Sequence, residues 1–290
     1  MNCINAYIVL VSIGLCISAE NSDPLTSIQI QEKIKTTTDT LTSIDKLLLD
    51  LEARRESLQQ MKESFSQERA DIYPTSCLST YNQNRSSLVV QVPGHSAFQV
   101  ACDTSQLAGL GWLVIQRRKS GKVNFYRDWS EYKSGFGYTE DDYFIGLEKL
   151  HWLTAYQPFE LYIYLEEFYN IKSFAKYDEF IIGDESEKFA LKVLGQYSGT
   201  AGDSLSYHKG QAFSTYDQDN DKSGNTNCAQ FHVGAWWYNN CAESNLNGQH
   251  VDIFGKLPED KARLITWNSF NTSSHFSFVQ MMIRPKFGCF

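Results

Sequence analysis

The chain has 290 residues, 42% of them apolar, and a formal charge of −8 from 34 acidic against 26 basic residues. This length accommodates one large domain with an extension, or two modest domains, with material for a sizeable core. The acidic balance and the lack of any Lys/Arg-rich block exclude the electrostatic footprint of a nucleic-acid binder.

Residues 1–19 carry an apolar run from about Ala6 to Ile17, followed by Ser18 and Ala19. The run is shorter than the roughly 20 apolar residues of a membrane span and ends as a secretory signal ends. Cleavage after Ser18 or Ala19 and export are therefore expected; the alternative is an uncleaved anchor. No later segment is apolar enough to span a membrane. Export leaves Cys77, Cys102, Cys228, Cys241 and Cys289 in a compartment where disulfides persist. Five is odd, so Cys289 reads as a free thiol or as a bridge to another chain. The sequons at Asn84 and Asn271 are expected glycosylation sites.

Residues 25–70 contain no Gly, Cys or Trp, unlike the rest of the chain. Ile34, Leu41 and Leu48 recur at heptad a, and Thr37, Ile44, Leu51, Leu58 and Phe65 at d, which predicts a coiled-coil helix. A lone helix would leave this stripe in water. Leu at a with Ile at d favours three or four strands, so a homo-oligomer, trimer or tetramer, is expected. Arg55 and Lys62 at a positions weaken the lower heptads; the alternative is a stripe packed on the chain's own globular domain.

From Cys77 onward short β-rich runs alternate with Gly and Asn turns. Residues 87–92, 111–116, 159–165 and 278–283 read as strands, and 129–133 and 146–153 as short helices. The fold class is α+β, with an antiparallel sheet and a loop-rich C-terminal third.

Chemistry concentrates in 217–241. Asp217, Asp219 and Asp221 alternate in a polar loop where mutual repulsion invites a cation, and calcium takes six to eight hard oxygen ligands from such loops. An EF-hand is excluded, because Lys222 stands where its turn glycine belongs and Cys228 where its bidentate Glu belongs. From these residues alone, a solvated acidic turn is the competing reading. Cys228 and Cys241 bracket Trp236, Trp237 and Tyr238, which read either as local core or as a ligand platform.

Several ordered motifs are shared with one family. Gly111-Trp112-Leu113-Val114-Ile115-Gln116-Arg117-Arg118, Asn124-Phe125-Tyr126-Arg127-Asp128-Trp129, Tyr197-Ser198-Gly199-Thr200-Ala201-Gly202-Asp203, Phe213-Ser214-Thr215, Asp219-Asn220-Asp221, Ala235-Trp236-Trp237-Tyr238 and Ser244-Asn245-Leu246-Asn247-Gly248 resemble the fibrinogen C-terminal domain family, which includes ficolins, tachylectins and angiopoietins. The resemblance covers about 76–285, and the domain is placed at 76–287.

The resemblance implies disulfides Cys77–Cys102 and Cys228–Cys241, and a Ca²⁺ site with side-chain ligands Asp219 and Asp221, backbone oxygens from about Ser223 and Asn225, and Asp217 as a supporting carboxylate. It further implies a cis bond at Asn240-Cys241. The ligand surface would comprise His232, Trp237, Tyr238, Asn240, Ala242, Pro258 and Glu259. Lectin-type members bind acetyl groups with two tyrosines, a histidine and an alanine, whose positions here hold His232, Pro258, Ala242 and Glu259. Loss of the rings and gain of a carboxylate argue against the usual N-acetyl-sugar specificity.

No catalytic constellation stands out, so an enzyme is not expected. Asp203, Ser204 and His208 lie close in sequence but read as an ordinary surface loop, and His151 and His232 read as structural. The expected protein is a secreted, calcium-dependent, lectin-like recognition protein for carbohydrate or acetylated surfaces. The alternative is a developmental or adhesive ligand for a protein receptor.

Overall fold

With no helix breaker after Pro24, Ser27–Ala70 forms one continuous helix, α1, of 44 residues. The computed structural model describes residues 27–70, 73–80, 86–105, 108–168, 170–251, 261–270 and 276–286. The expectations placed on 1–19, Asn84, Pro258, Glu259, Asn271 and Cys289 lie outside the described residues. The chain divides into two units, Met1–Ser64 and Phe65–Phe290.

In the first unit the described side chains of α1 are exposed, including Leu41 at 43% and Ile44 at 46%. Its threonines do not break the helix, because hydroxyls such as those of Thr36, Thr37 and Thr38 donate to carbonyls one turn earlier. An Arg54–Asp50 pair at 2.9 Å adds an exposed i,i+4 contact of a few tenths of a kcal/mol. Among the described residues no helix is long and apolar enough to cross a membrane.

The second unit is organised by a nine-stranded antiparallel sheet. Its strands are β1 (Ser87–Val90), β2 (Phe98–Cys102), β3 (Leu113–Arg118), β4 (Phe136–Gly137), β5 (Tyr143–Phe144), β6 (Phe159–Glu167), β7 (Lys172–Tyr177), β10 (Tyr197–Gly199) and β13 (Phe276–Pro285). The main path runs β1-β2-β3-β13-β6-β7-β10, with β5 branching onto β3 and β4 onto β5. Thus the last strand in sequence lies at the centre, between β3 and β6. Two further pairs, β8 (Phe180–Ile182) with β9 (Leu191–Leu194) and β11 (Ser244–Asn245) with β12 (Thr266–Trp267), stand apart from the sheet.

Apolar alternation explains the core. On β6, Leu161, Ile163 and Leu165 fill one face, while Tyr162 and Tyr164 on the other pack against Trp112, Phe174 and Phe278. Strands β3 and β13 are buried on both faces, so the sheet centre is covered above and below. Helix α2 (Trp129–Ser134) starts from a capping box made by Asp128 and Glu131, and α3 is Leu147–Tyr156. Gly135 and Gly146 pass backbone to backbone beside them, both at positive φ; a Cβ on Gly135 would lie 2.4 Å from the Ile145 carbonyl oxygen.

Strand β3 ends in polar residues that turn inward. Arg118, buried, donates from Nη1 to the carbonyls of Gly248 (2.5 Å) and Leu246 (3.3 Å) and lies 3.9 Å from the Phe125 ring centre. Burial pushes its pKa down to about 10, against the pull of Asp142. Asp142 is buried too; burial alone would raise its pKa, but donors at Lys119, Val123 and Ser120 and the Arg118 charge hold it low. Gln116 donates to Leu246 O (2.8 Å) and Asn247 Oδ1 (3.2 Å). Strand β3 is thereby tied to a segment some 130 residues later.

Arg118→Leu would leave Asp142 without its buried counter-charge and the Gly248 carbonyl without its side-chain donor, while Leu246 O keeps Gln116. It is expected to cost about 3–5 kcal/mol in chemical denaturation of the disulfide-intact protein. A loss below about 1 kcal/mol, the range of an exposed pair, would contradict this assignment.

Candidate functional site

The segment 213–241 has almost no regular structure, so its backbone groups are satisfied piecewise. Ser214 and Trp236 exchange backbone bonds of 2.9 and 3.2 Å, and Lys222 N donates to Asn239 O at 3.0 Å. Asn220 donates from its backbone to Ser214 Oγ and from its side chain to Phe213 O, and accepts from Lys188 Nζ. Asn227 accepts from Gln230 N and caps helix α4 (Cys228–His232). The acidic turn is therefore fastened along both sides to the stretch that carries Trp236–Cys241.

The three aspartates divide between two jobs. Asp217 accepts from Trp129 N at 3.1 Å and from Thr215 Oγ1 at 2.7 Å, tethering the turn to the start of α2. Asp221 accepts from Ser223 N (2.8 Å) and Cys228 N (2.7 Å), and its own N–H donates to Asp219 Oδ1 at 3.2 Å. Burial raises the Asp221 pKa, and the adjoining Asp219 carboxylate adds to the rise despite the two backbone donors. Two carboxylates held side by side are a hard-oxygen pair suited to a hard cation. Ser223 is half-buried and Asn225 exposed on the same turn. Among the described residues no three His, Cys, Asp or Glu side chains converge as a metal set, so a cation here would need main-chain or water oxygens as well.

Disulfides join Cys77 to Cys102 and Cys228 to Cys241, the latter closing a separation of 13 residues, and the Asn240-Cys241 peptide is cis. Within this loop Trp237 and Tyr238 are 1% and 0% exposed. Trp237 packs on Phe180, Phe213 and Trp236 and donates from Nε1 to Phe189 O; Tyr238 donates to Asn245 Oδ1. Their expected place on a ligand surface is corrected: they hold the loop from inside. The side chains offered outward are Asn240, exposed, with Ala242 and His232 half-buried. His232 stacks on Tyr238 with ring centres 5.6 Å apart, and its Nδ1 lies 2.6 Å from Ala262 O. A carbonyl only accepts, so that nitrogen carries the proton.

A second correction concerns Asp203, Ser204 and His208, expected on a surface loop. Ser204 and His208 are buried, and the three side chains part company. Asp203 accepts from Tyr177 and Ser206, and Ser204 pairs with Ser269. His208 Nδ1–H donates to Trp237 O (2.7 Å), while Nε2 accepts from the N–H groups of Glu243 and Ser244 (both 3.2 Å). One neutral imidazole thus joins the two sides of the Asn240-Cys241 bond. Tyr207, beside it, donates to Asn240 O at 3.0 Å and is 39% exposed. Sequence reasoning misplaced His208 and missed Tyr207; the available signal was an aromatic-His pair after an aspartate, and nothing in it indicated a partner 33 residues from Tyr207.

Burial first, and the nearby His232 charge second, push the His208 pKa down to about 4 from 6.5, even though its bond to Trp237 O works the other way. The unfolded chain therefore takes up this proton first as pH falls. The contribution is full above pH 6.5 and is lost between 6.5 and about 4; it amounts to about 3 kcal/mol. Denaturation across this interval should show that extra loss relative to His208→Gln, whose amide can donate to Trp237 O without titrating. Parallel pH curves for the two proteins would contradict it.

Comparison with known proteins agrees with this architecture. Residues 74–286 match the family described as fibrinogen beta and gamma chains, C-terminal globular domain. Fibrinogen C domain-containing protein 1-A of Xenopus laevis is 40% identical over 222 residues, 73% of this chain and 48% of that protein. Human Angiopoietin-related protein 7 is 40% identical over 238 residues, 78% of this chain and 66% of that protein. The chain thus spans about half the length of the fibrinogen C domain-containing relatives it matches. Among solved structures, the fibrinogen-like globe domain of human ANGPTL6 superposes with a TM-score of 0.68 at 37% identity, covering 74% of this chain and 96% of that one. The chain has the fold of these relatives and belongs to the fibrinogen C-terminal domain family.

Proposed function

We propose that this protein is a secreted, calcium-dependent recognition protein of the lectin-like, pattern-recognition kind, and not an enzyme. The observation that carries the reading is the apposition of Asp219 and Asp221, with Asp221 bonded to the backbone of the disulfide-bearing Cys228. In this reading Asp219 and Asp221 hold Ca²⁺ with backbone oxygens of Ser223 and Asn225, while Asp217 steadies the turn. The ion supplies the positive charge that the paired carboxylates lack, and the disulfide passes the resulting rigidity to Asn240 and Ala242. Recognition is then a matter of what that surface accepts. With His232, Ala242, Pro258 and Glu259 at the acetyl-pocket positions, the specificity departs from plain N-acetyl sugars.

Helix α1 supplies multivalency. Its exposed a and d side chains gather three or four chains, and linking weak heads raises overall affinity by roughly 10²–10⁴ when the sites engage together. A second reading, a developmental or adhesive ligand for a protein receptor, is favoured by Phe231, which is 48% exposed beside His232 and offers the apolar contact expected of a protein interface.

Calcium at 100-fold its dissociation constant is expected to stabilise the wild-type protein by about 2.7 kcal/mol. Asp219→Asn with Asp221→Asn should abolish that gain, and an equal gain in the double variant would refute the site. A glycan and acetyl-compound screen with and without chelator separates the two functional readings. Chelator-sensitive glycan binding supports the first; its absence with saturable binding to a cell-surface protein supports the second. For assembly, Ile44→Asp with Leu48→Asp should convert the species in sedimentation to monomer, and an unchanged mass would count against α1 as the oligomerising element.

A further inference from the structure

A cavity of about 560 Å³ opens on the second unit between α3, the turn that joins β1 to β2, and the turn between β8 and β9. Its volume lies in the range of small-ligand sites, roughly 300–1,000 Å³. Two kinds of wall meet in it. One is aromatic: His95 and Trp152 stack with ring centres 4.3 Å apart, and Tyr156, half-exposed, stands one helical turn further along α3. The other is anionic: Glu148 from the first turn of α3, with Asp184 and Glu185 from the β8–β9 turn. Phe189 also lines the cavity, and its carbonyl is anchored by Trp237 Nε1 at 2.8 Å.

The charges in this cavity are unequal. No Lys or Arg lines it, and three carboxylates do. Lys133 bonds Glu185 at 2.5 Å and lies 3.9 Å from Glu148, and Trp129 Nε1 donates to the other Glu185 oxygen at 3.1 Å, so one cation already sits across two of the three acids and an excess of negative charge remains. Asp184 spends Oδ1 on Ser186 and Glu187 N. Burial, together with His151, lowers the His95 pKa, which keeps a competing positive charge off the aromatic wall at neutral pH. The protein's own choice of Lys133 demonstrates that these acids accept a nitrogen cation.

We propose that this cavity receives an arginine side chain from a basic partner polypeptide. A guanidinium suits both walls at once, since its flat face stacks on aromatic rings while its fork donates to carboxylates. A lysine ammonium meets only the second requirement. None of Asn240, Ala242 and His232 lines the cavity, so its role holds whether or not their surface binds glycans.

The test uses the full chain labelled with 5-fluorotryptophan and reads the Trp152 resonance, assigned by Trp152→Phe. The probes are three blocked tripeptides, Gly-Arg-Gly, Gly-Lys-Gly and Gly-citrulline-Gly. Arginine should give a saturable shift at Trp152; lysine should bind at least about fivefold more weakly, and neutral citrulline should give no shift. Glu148→Gln, an isosteric change at a half-buried side chain whose fold is checked by thermal denaturation, should weaken arginine binding roughly tenfold. Equal binding of citrulline, unchanged affinity in Glu148→Gln, or shifts confined to Trp236 and Trp237 would each overturn the assignment.

Discussion

A loop-rich third of a domain has no ladder in which to pair its backbone donors and acceptors, yet here much of it is buried. The solution is a set of buried polar side chains that act as substitutes for strands. Gln116 and Arg118 reach from β3 to Leu246, Asn247 and Gly248; Asn247 donates onward to Ala235 O; Asn245 accepts from Tyr238 and donates to His232 O. His208 closes the circuit by accepting from Glu243 and Ser244 while donating to Trp237. Each such group, left unpaired, would cost about 1–3 kcal/mol, so most of the network is paired, although Gln116 Oε1 and Arg118 Nε within it have no partner among the described residues. The shape of the loop surface rests on those bonds.

The same network explains how a partly exposed turn is coupled to a structured interior. Asp217 ties the turn to α2, and Asp221 ties it to Cys228 and so to the disulfide. Between these anchors, Asp219 and Asp221 remain side by side, an arrangement that mutual repulsion disfavours and a hard cation favours. Directly across the disulfide lie Asn240 and Ala242, with Tyr207 bonded to the Asn240 carbonyl. A change in charge at the turn therefore has a short route to the exposed surface, one hydrogen bond to Cys228 and one disulfide.

Much of this was legible beforehand. Short β-rich runs between turns located β3, β6 and β13 to within a few residues, and the helix expected at 129–133 is α2. The position of β13 at the sheet centre was not, because strand order is a long-range property that local pattern does not encode. Trp237 and Tyr238 were ambiguous for a physical reason: a large aromatic with a polar tip serves equally as core or platform, and only the partners Phe189 and Asn245 decide between them. His208 was misplaced because a polar run such as Ser204–His208 looks solvated until its partners on distant loops are known. The heptad pattern of α1 predicted the helix, whose stripe is solvent-facing within its own unit.

The central claim is that a cation on the acidic turn braces the recognition surface through the disulfide. Hydrogen–deuterium exchange of the full chain with and without calcium tests it most directly. The account predicts slower exchange confined to 217–228 and to the amides around Asn240, with the central sheet unchanged. Identical exchange in both conditions, or protection that stops at Asp221 and never reaches Asn240, would contradict it.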